Sequence, residues 1–372
     1  MTTYADIGLT AAINASGKMT ALGGSVLDAD VVAAMADAAG KHVVVSDLMA
    51  SAGCHVARLL GAADAAVTSS ASAAIAQTVA ALIAGADTAL LQRLPADVGR
   101  PREVILQKGH AVDWGAPATQ MIALGGGLPV EVGSVNRTDP AHVAGAIGPE
   151  TAALVYVQSH HTVHKGMLPF EEMLELGRTH GVPVIVDAAA EEDLRRWVAS
   201  GADAVVFSGT KAIGGPTSGL VCGSAELMHA VRAQSAGIGR PMKVGKEEVL
   251  GLITALETFL AGSGGLDPDV QRTRMHEIVD HIARRPGIAA QIEQDDAGRE
   301  IYRAVLTVGE ESGTTATAVA RELAASTPPM YVRDHKAAVG QLAIDPRPLS
   351  PEEQIQLMDR LDEILDAAGA QA

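Results

Sequence analysis

A chain of 372 residues is too long for a single small core and points to one large domain with a smaller companion. Since 48% of the residues are hydrophobic but only 2% aromatic, Ala, Val, Leu and Ile have to build that core. A net charge of −16 excludes nucleic acid as a bulk electrostatic partner, because phosphate backbones are held by clustered Lys and Arg.

The N-terminus has neither a basic nor an apolar leader pattern, and the most apolar helix candidate, 72–84, is too short to span a bilayer. Cys54 and Cys222 lie in no CxxC motif, so reduced thiols and a cytoplasmic location are expected. Residues 11–24 read as an irregular, Gly-rich arm. Helices follow over 28–39, with Asp28 as cap, and over 47–60, ending before Gly61. An extended piece, 66–68, then runs into Ser69, Ser70 and Ser72 at the start of an Ala-rich helix. Serines there usually serve as caps; the alternative is a phosphate cradle of hydroxyls and unpaired N–H groups.

From residue 103 the pattern is strand, turn, helix, repeated. Strands are expected at 103–107, 120–124, 128–132, 153–158, 182–186, 204–207 and 219–222, and helices at 170–180, 191–199 and 225–234. Continuous apolar strands between helices indicate an α/β fold whose mostly parallel sheet is covered on both faces. Ligands in such sheets sit beyond the carboxyl ends of strands. His110, the group Ser159-His160-His161, Asp187, and Ser208 with Lys211 all follow strand candidates there. Segment 237–247 looks superficially like a nucleotide-binding P-loop. Its span from Gly239 to Gly245 is one residue too long, and Glu247 stands where a magnesium-binding Ser or Thr is needed. After a long helix, 246–261, Gly262 to Gly265 mark a boundary. The expected organisation is an N-terminal arm and helix (1–45), a large α/β domain (46–262) and a small C-terminal α+β domain (263–372).

Phosphate-loop serines, an Asp after an apolar strand and a later Ser-x-x-Lys together resemble the fold-type I pyridoxal phosphate enzymes. Asn14-Ala-Ser-Gly17, Glu131-Val-Gly-Ser-Val-Asn-Arg-Thr138 and Phe207-Ser-Gly-Thr-Lys-Ala-Ile-Gly-Gly-Pro216 are similar to bacterial selenocysteine synthase and its relatives. Lys108-Gly-His-Ala-Val-Asp-Trp-Gly115, Gln158-Ser-His-His161, Lys165-Gly-Met-Leu168 and Val186-Asp-Ala-Ala-Ala-Glu-Glu-Asp-Leu-Arg195 more closely resemble one branch, the D-glucosaminate-6-phosphate ammonia-lyases. The resemblance covers residues 10 to 260 and implies a seven-stranded-type sheet with pyridoxal 5′-phosphate in the large domain.

It also implies roles. Lys211 would form the Schiff base and move the α-proton, and Asp187 would keep the pyridine nitrogen protonated. Ser70, Ala71, Ser72 and Ser208 would hold the phosphate. His110 would stack on the ring, with a packing histidine as the rival reading, and His160 or His161 would reach the cofactor's phenolic oxygen or the substrate. Arg333 matches the arginine that clamps a substrate α-carboxylate, and Lys18, Arg240, Lys243 and Lys246 would serve a second anion; surface ion pairing is the plain alternative for all five. No metal is expected at His160, His161 and His164, because alternation along a strand would send neighbouring side chains apart. The implied activity is a lyase acting on a β-hydroxy α-amino acid, with racemase, aldolase or transferase as alternatives. The implied state is a homodimer or higher homo-oligomer with shared sites.

Overall fold

The computed structural model describes residues 2–263, 265–295 and 298–369. Its strands in chain order are β1 (Ile13–Ala15), β2 (Asp64–Thr68), β3 (Glu103–Gln107), β4 (Leu128–Val132), β5 (Thr151–Val157) and β6 (Val184–Asp187). They continue as β7 (Ala204–Ser208), β8 (Gly219–Gly223), β9 (Ile288–Gln294), β10 (Tyr302–Val308), β11 (Met330–Val332) and β12 (Gln341–Ile344). Contacts divide the chain into two compact units, Leu27–Gly264 and Met1–Val26 with Gly265–Ala372.

The larger unit is built on a seven-stranded sheet of order β2-β8-β7-β6-β5-β3-β4. All pairings are parallel except those of β8, which runs against both its neighbours. Strand alternation sorts the apolar side chains between two cores. Along β3, Val104 and Leu106 join one buried cluster and Ile105 the other. Along β7, Ala204 and Val206 join the first, Val205 and Phe207 the second. Helices Ala71–Ala84, Ala118–Leu124 and Ala225–Ala233 supply the first cluster, through Ile75, Ile122 and Val231. Val45–Leu60, Phe170–His180 and Lys246–Thr258 supply the second, through Val56, Met173 and Leu252. Each fully buried aliphatic side chain contributes about 1.5–3 kcal/mol, which explains why these strands read as unbroken apolar runs.

One expected strand, 120–124, is instead part of helix Ala118–Leu124. A short apolar run has no decisive period, and here Met121 and Ile122 are buried while Leu124 is exposed. The helix lies on helix Ala71–Ala84 so closely that a Cβ on Gly125 would stand 2.4 Å from the Ala76 carbonyl oxygen.

In the smaller unit β12-β10-β9 form an antiparallel sheet around a core that includes Met275, Leu306, Leu323 and Leu357. The arm expected to be irregular contributes β1, which pairs in parallel with β11. The contact grouping therefore places the first 26 residues with the C-terminal part and helix Ala29–Ala39 with the large sheet, dividing the 1–45 segment. Among the described residues no helix is long and apolar enough to cross a membrane.

The reversed strand β8 needs a glycine where it meets the helix Ala71–Ala84 loop. A Cβ on Gly219 would lie 2.3 Å from the Ser70 carbonyl carbon and 2.5 Å from the Ala71 nitrogen, and backbone cannot swing aside. Gly219→Ala is expected to lower unfolding free energy by about 3 kcal/mol. Gly145→Ala, in open space on helix Pro140–Ala146, is expected to raise it by about 0.5–1 kcal/mol. Denaturant midpoints of the two variants check the contrast.

Candidate active site

Strand order gathers residues that lie far apart in the chain. Thr68 of β2 and Ser208 of β7 both pair with Gly219 of β8, so the loops after β2 and β7 leave side by side. Asp187, the last residue of β6, pairs with Val206 on one side and Val157 on the other. The chain beyond β5 leads to Ser159, and β3 leads directly into the turn Lys108–His110. Ser70, Ser72, His110, the Ser159–His161 turn, Asp187, Ser208 and Lys211 thus leave one carboxyl edge of one sheet.

The helix that starts at Ala71 is capped by Ser70, whose hydroxyl oxygen accepts the Ala73 N–H at 3.0 Å. The first helical bond runs from the Ala74 N–H to the Ser70 carbonyl at 2.9 Å, so the N–H groups of Ala71 and Ser72 have no partner inside the helix. Capping and anion binding are compatible here: the Ser70 oxygen caps, and its proton stays available to a phosphate. Beside it the Ser208 hydroxyl lies 3.2 Å from that of Thr210, a residue overlooked in the sequence although it stands next to Lys211. The lysine loop folds tightly back. A Cβ on Gly209 would lie 2.1 Å from the Ser218 hydroxyl, and the Gly214 N–H bonds the Lys211 carbonyl at 3.1 Å.

Asp187 is 4% exposed. Burial pushes its carboxyl pKa up, against the charge of Lys211 and the N–H of Ala189, which donates to Oδ1 at 3.0 Å. It caps no helix; that place before Leu194–Val198 belongs to Asp193. A buried carboxyl of this kind is suited to a protonated ring nitrogen.

His110 is 1% exposed and packs edge-on against Tyr156, ring centroids 4.6 Å apart. Its Nδ1 accepts the Val157 N–H at 3.1 Å, which assigns the ring proton to Nε2. Nε2 is buried and, among the described residues, has no hydrogen-bond partner. Burial, helped by the charge of His164, lowers the ring pKa to about 4, so the imidazole is neutral at physiological pH.

His160 and His161 stack, with ring centroids 4.0 Å apart and planes at 38°. The alternation argument against their meeting fails, because residues 159–162 form a turn rather than a strand. Among the described residues no three His, Cys, Asp or Glu side chains are grouped to hold a metal. Arg240 and Lys243 are exposed, and Gly239 before them lies against Gln77, well inside helix Ala71–Ala84. Lys246 caps the end of helix Ala29–Ala39, donating to the carbonyls of Ala38 (2.7 Å) and Ala39 (3.1 Å), and it pairs with Glu247; its work is structural. Lys18 and Arg333 belong to the smaller unit. A cavity of about 680 Å³ opens at the other edge of the sheet, lined by Pro183, Asp203 and Cys222, and holds none of these groups. Burial pushes the Cys222 thiol up to about 12, so it is inert.

The residues fit pyridoxal phosphate group by group. Hydroxyls and N–H donors at a helix start suit a phosphate, a buried carboxyl suits a ring N–H, a neutral imidazole suits a ring face, and Lys211 suits an aldehyde.

Comparison with known proteins agrees. Residues 12–275 match the family model described as SelA: L-seryl-tRNA selenium transferase. A Streptomyces sp 5′-C-glycyluridine monooxygenase-decarboxylase is 47% identical over 371 residues, covering 99% of this chain and 93% of that one. A D-glucosaminate-6-phosphate ammonia lyase of Salmonella typhimurium is 42% identical over 366 residues, covering 98% of each. A solved structure of D-glucosaminate-6-phosphate ammonia-lyase superimposes with a TM-score of 0.90, covering 99% of this chain and 100% of that one at 42% identity.

The tautomer of His110 has a measurable consequence. Its folded pKa lies below the usual 6.5, so the stability it brings is complete above pH 6.5 and is lost as pH falls towards about 4. Over that window the cofactor-free protein is expected to lose on the order of 2–3 kcal/mol more unfolding free energy than His110→Gln. Denaturation curves across the range decide it; equal pH slopes rule out a buried neutral imidazole.

Proposed function

Because the chain belongs to the SelA family and has the fold of the fold-type I pyridoxal phosphate enzymes, we propose that it is a pyridoxal phosphate-dependent lyase. Its reaction removes the β-hydroxyl of an α-amino acid, an amino-sugar acid such as D-glucosaminate 6-phosphate or a related β-hydroxy amino acid, giving ammonia and a 2-oxo acid. The 42% identity with the ammonia lyase over 98% of both chains carries this reading.

When bound, the cofactor supplies an electron sink for the pair left as the α C–H bond breaks. The chain does the rest. Lys211 would hold the cofactor by its aldehyde and is the base that would take the substrate's α-proton. Handed to the β-hydroxyl, that proton lets it leave as water, and addition of water to the imine form of the product frees ammonia. Asp187 would keep a proton on the ring nitrogen through its carboxylate. Ser70, Ser72, Ser208 and the Ala71 N–H would hold the phosphate, and His110 would pack on the ring with its Nε2 proton left to donate. On the family resemblance, His160 would reach the cofactor's phenolic oxygen. Lys18, His161, Arg240, Lys243 and Arg333 are proposed substrate ligands on the family resemblance. The same resemblance supports a cytoplasmic homodimer or higher homo-oligomer, which sedimentation equilibrium checks: a monomer mass refutes it.

A second reading has its own support in the 47% identity with a monooxygenase-decarboxylase. There the substrate's carboxylate is lost as carbon dioxide and dioxygen is consumed. The two differ in products, so purified protein given amino-sugar acids, β-hydroxy amino acids and glycyl nucleosides separates them. Ammonia and a 2-oxo acid without oxygen uptake support the lyase; oxygen uptake with carbon dioxide release supports the second reading. For either, Lys211→Ala is expected to abolish the visible absorbance of the bound cofactor and lower turnover by at least about 10²–10⁴-fold. A wild-type protein that stays colourless after incubation with the cofactor refutes both.

A further inference from the structure

Residues 158–167, between β5 and helix Phe170–His180, contain neither helix nor strand, yet they carry His160, His161 and His164 along the candidate active edge. A stretch of this length at a sheet edge is ordinarily mobile. Here it is tied down along its course. The Gln158 N–H donates to the Asp187 carbonyl at 2.9 Å, the Val163 N–H to the Gly109 carbonyl at 3.0 Å, and the Thr138 N–H to the Gly166 carbonyl at 2.8 Å. The fit is close at both glycines. A Cβ on Gly166 would stand 2.1 Å from the Asn136 carbonyl oxygen, and one on Gly109 would stand 2.6 Å from Met167 Sδ.

A side chain holds the far end. Gln107, the last residue of β3, is 0% exposed. Its Oε1 accepts the Leu168 N–H at 2.6 Å, and its Nε2 donates to the Leu168 carbonyl at 3.0 Å. The amide thus bonds both polar groups of one residue, as a neighbouring strand would, although Leu168 lies in no strand. Glutamine suits the place because it offers an acceptor and a donor side by side. Glutamate lacks the donor when ionised, and methionine has no donor and only a weak acceptor.

Four motifs of the sequence meet here, 108–115, 131–138, 158–161 and 165–168. The proposed reaction uses residues of the first and third alone. The second and fourth supply Thr138, Asn136, Gly166, Met167 and Leu168, the partners in these contacts.

We propose that Gln107 is the positioning residue of this loop, fixing His160 and His161 as a preformed wall of the site rather than a lid that closes on the substrate. The 131–138 and 165–168 motifs serve the same clamp from the other side. A wall ordered in advance spares the substrate the cost of ordering it on binding. The proposal rests on the reading that this edge holds pyridoxal phosphate. It does not rest on the lyase chemistry.

The test compares wild type with Gln107→Met, Gln107→Glu and Ile122→Ala. Ile122 lies in the other core cluster from Ile105, the neighbour of Gln107 on its face of β3, so its variant controls for lost stability alone. In cofactor-free protein, backbone hydrogen exchange over 163–168 is measured relative to exchange over β7. That ratio is expected to rise at least about tenfold in Gln107→Met and to stay as in wild type in Ile122→Ala. Gln107→Glu is expected to match wild type at mildly acidic pH, where its buried carboxyl is protonated and offers the same acceptor and donor. As pH rises and the carboxylate forms, it comes to match Gln107→Met, each compared with wild type at the same pH. In holoenzyme, the visible circular dichroism of the bound cofactor reports the groups around its ring. It is expected to lose most of its intensity in Gln107→Met, to keep it in Ile122→Ala, and to return in Gln107→Glu on acidification.

An exchange ratio in Gln107→Met equal to wild type overturns the clamp. Faster exchange with an unchanged cofactor signal overturns the positioning role, because other contacts then set the histidines. Absence of acid rescue in Gln107→Glu overturns the two-bond clamp, and that series decides alone should Gln107→Met not fold. A wild type without any visible cofactor signal removes the pyridoxal phosphate reading and the positioning role with it. Absence of ammonia release removes only the lyase.

Discussion

The contact between Gly219 and the Ser70–Ala71 backbone is the constraint on which the rest of the larger unit depends. It lets β8 run reversed between β2 and β7, in register with the ends of both. A helix start rich in N–H donors and a loop carrying an amine are thereby brought together, although the chain separates them by more than half of the larger unit. Everything else at the edge follows from parallel pairing: β6 sets Asp187 beside β7, and β5 and β3 deliver the histidines in turn. Geometry of this kind is backbone geometry, and it accommodates different substrates without change. That agrees with two relatives of similar overall likeness whose names describe different chemistry.

Electrostatics then differentiates the groups at that edge. Asp187 and His110 are both buried, yet burial acts on them in opposite senses, raising an acid and lowering a base. Burial favours the neutral form of each, and only Asp187 has a cation nearby in Lys211 to oppose it. In the proposed function a protonated ring nitrogen would be a further cation beside Asp187, and its binding and the ionisation of Asp187 would reinforce each other. His110 stays a neutral donor throughout.

Much of this was legible in the sequence, for a physical reason. Strands such as 103–107 and 204–207 are buried on both faces and are therefore continuously apolar, and a polar residue ending such a run stands out. Asp187 and Lys211 were found that way. Where tertiary packing rather than pattern decides, the sequence was silent or misleading. Residues 120–124 are too few to show a period, and β1 has Asn14 at its centre. His160 and His161 meet because the chain turns where a strand was assumed. Lys246 looked like a ligand for an anion until the end of helix Ala29–Ala39 was placed beside it. Arg303, Asp345 and Arg347 look like ordinary surface charges in a one-dimensional reading, because charged residues seldom lie buried. Only the folded smaller unit shows that both arginines pair with the one buried carboxylate.

The reversed strand has a consequence for biosynthesis. Among the described residues β2 pairs in the larger sheet only with β8, so the segment 64–68 has no partner in that sheet until residue 223 has left the ribosome. Until then the serine loop lacks the strand that supports it, and the nascent chain exposes an apolar strand with unpaired edges, the species on which chaperones act. A truncated chain ending before Gly219 would carry Ser70, Asp187 and Lys211 without the strand that pairs with both β2 and β7.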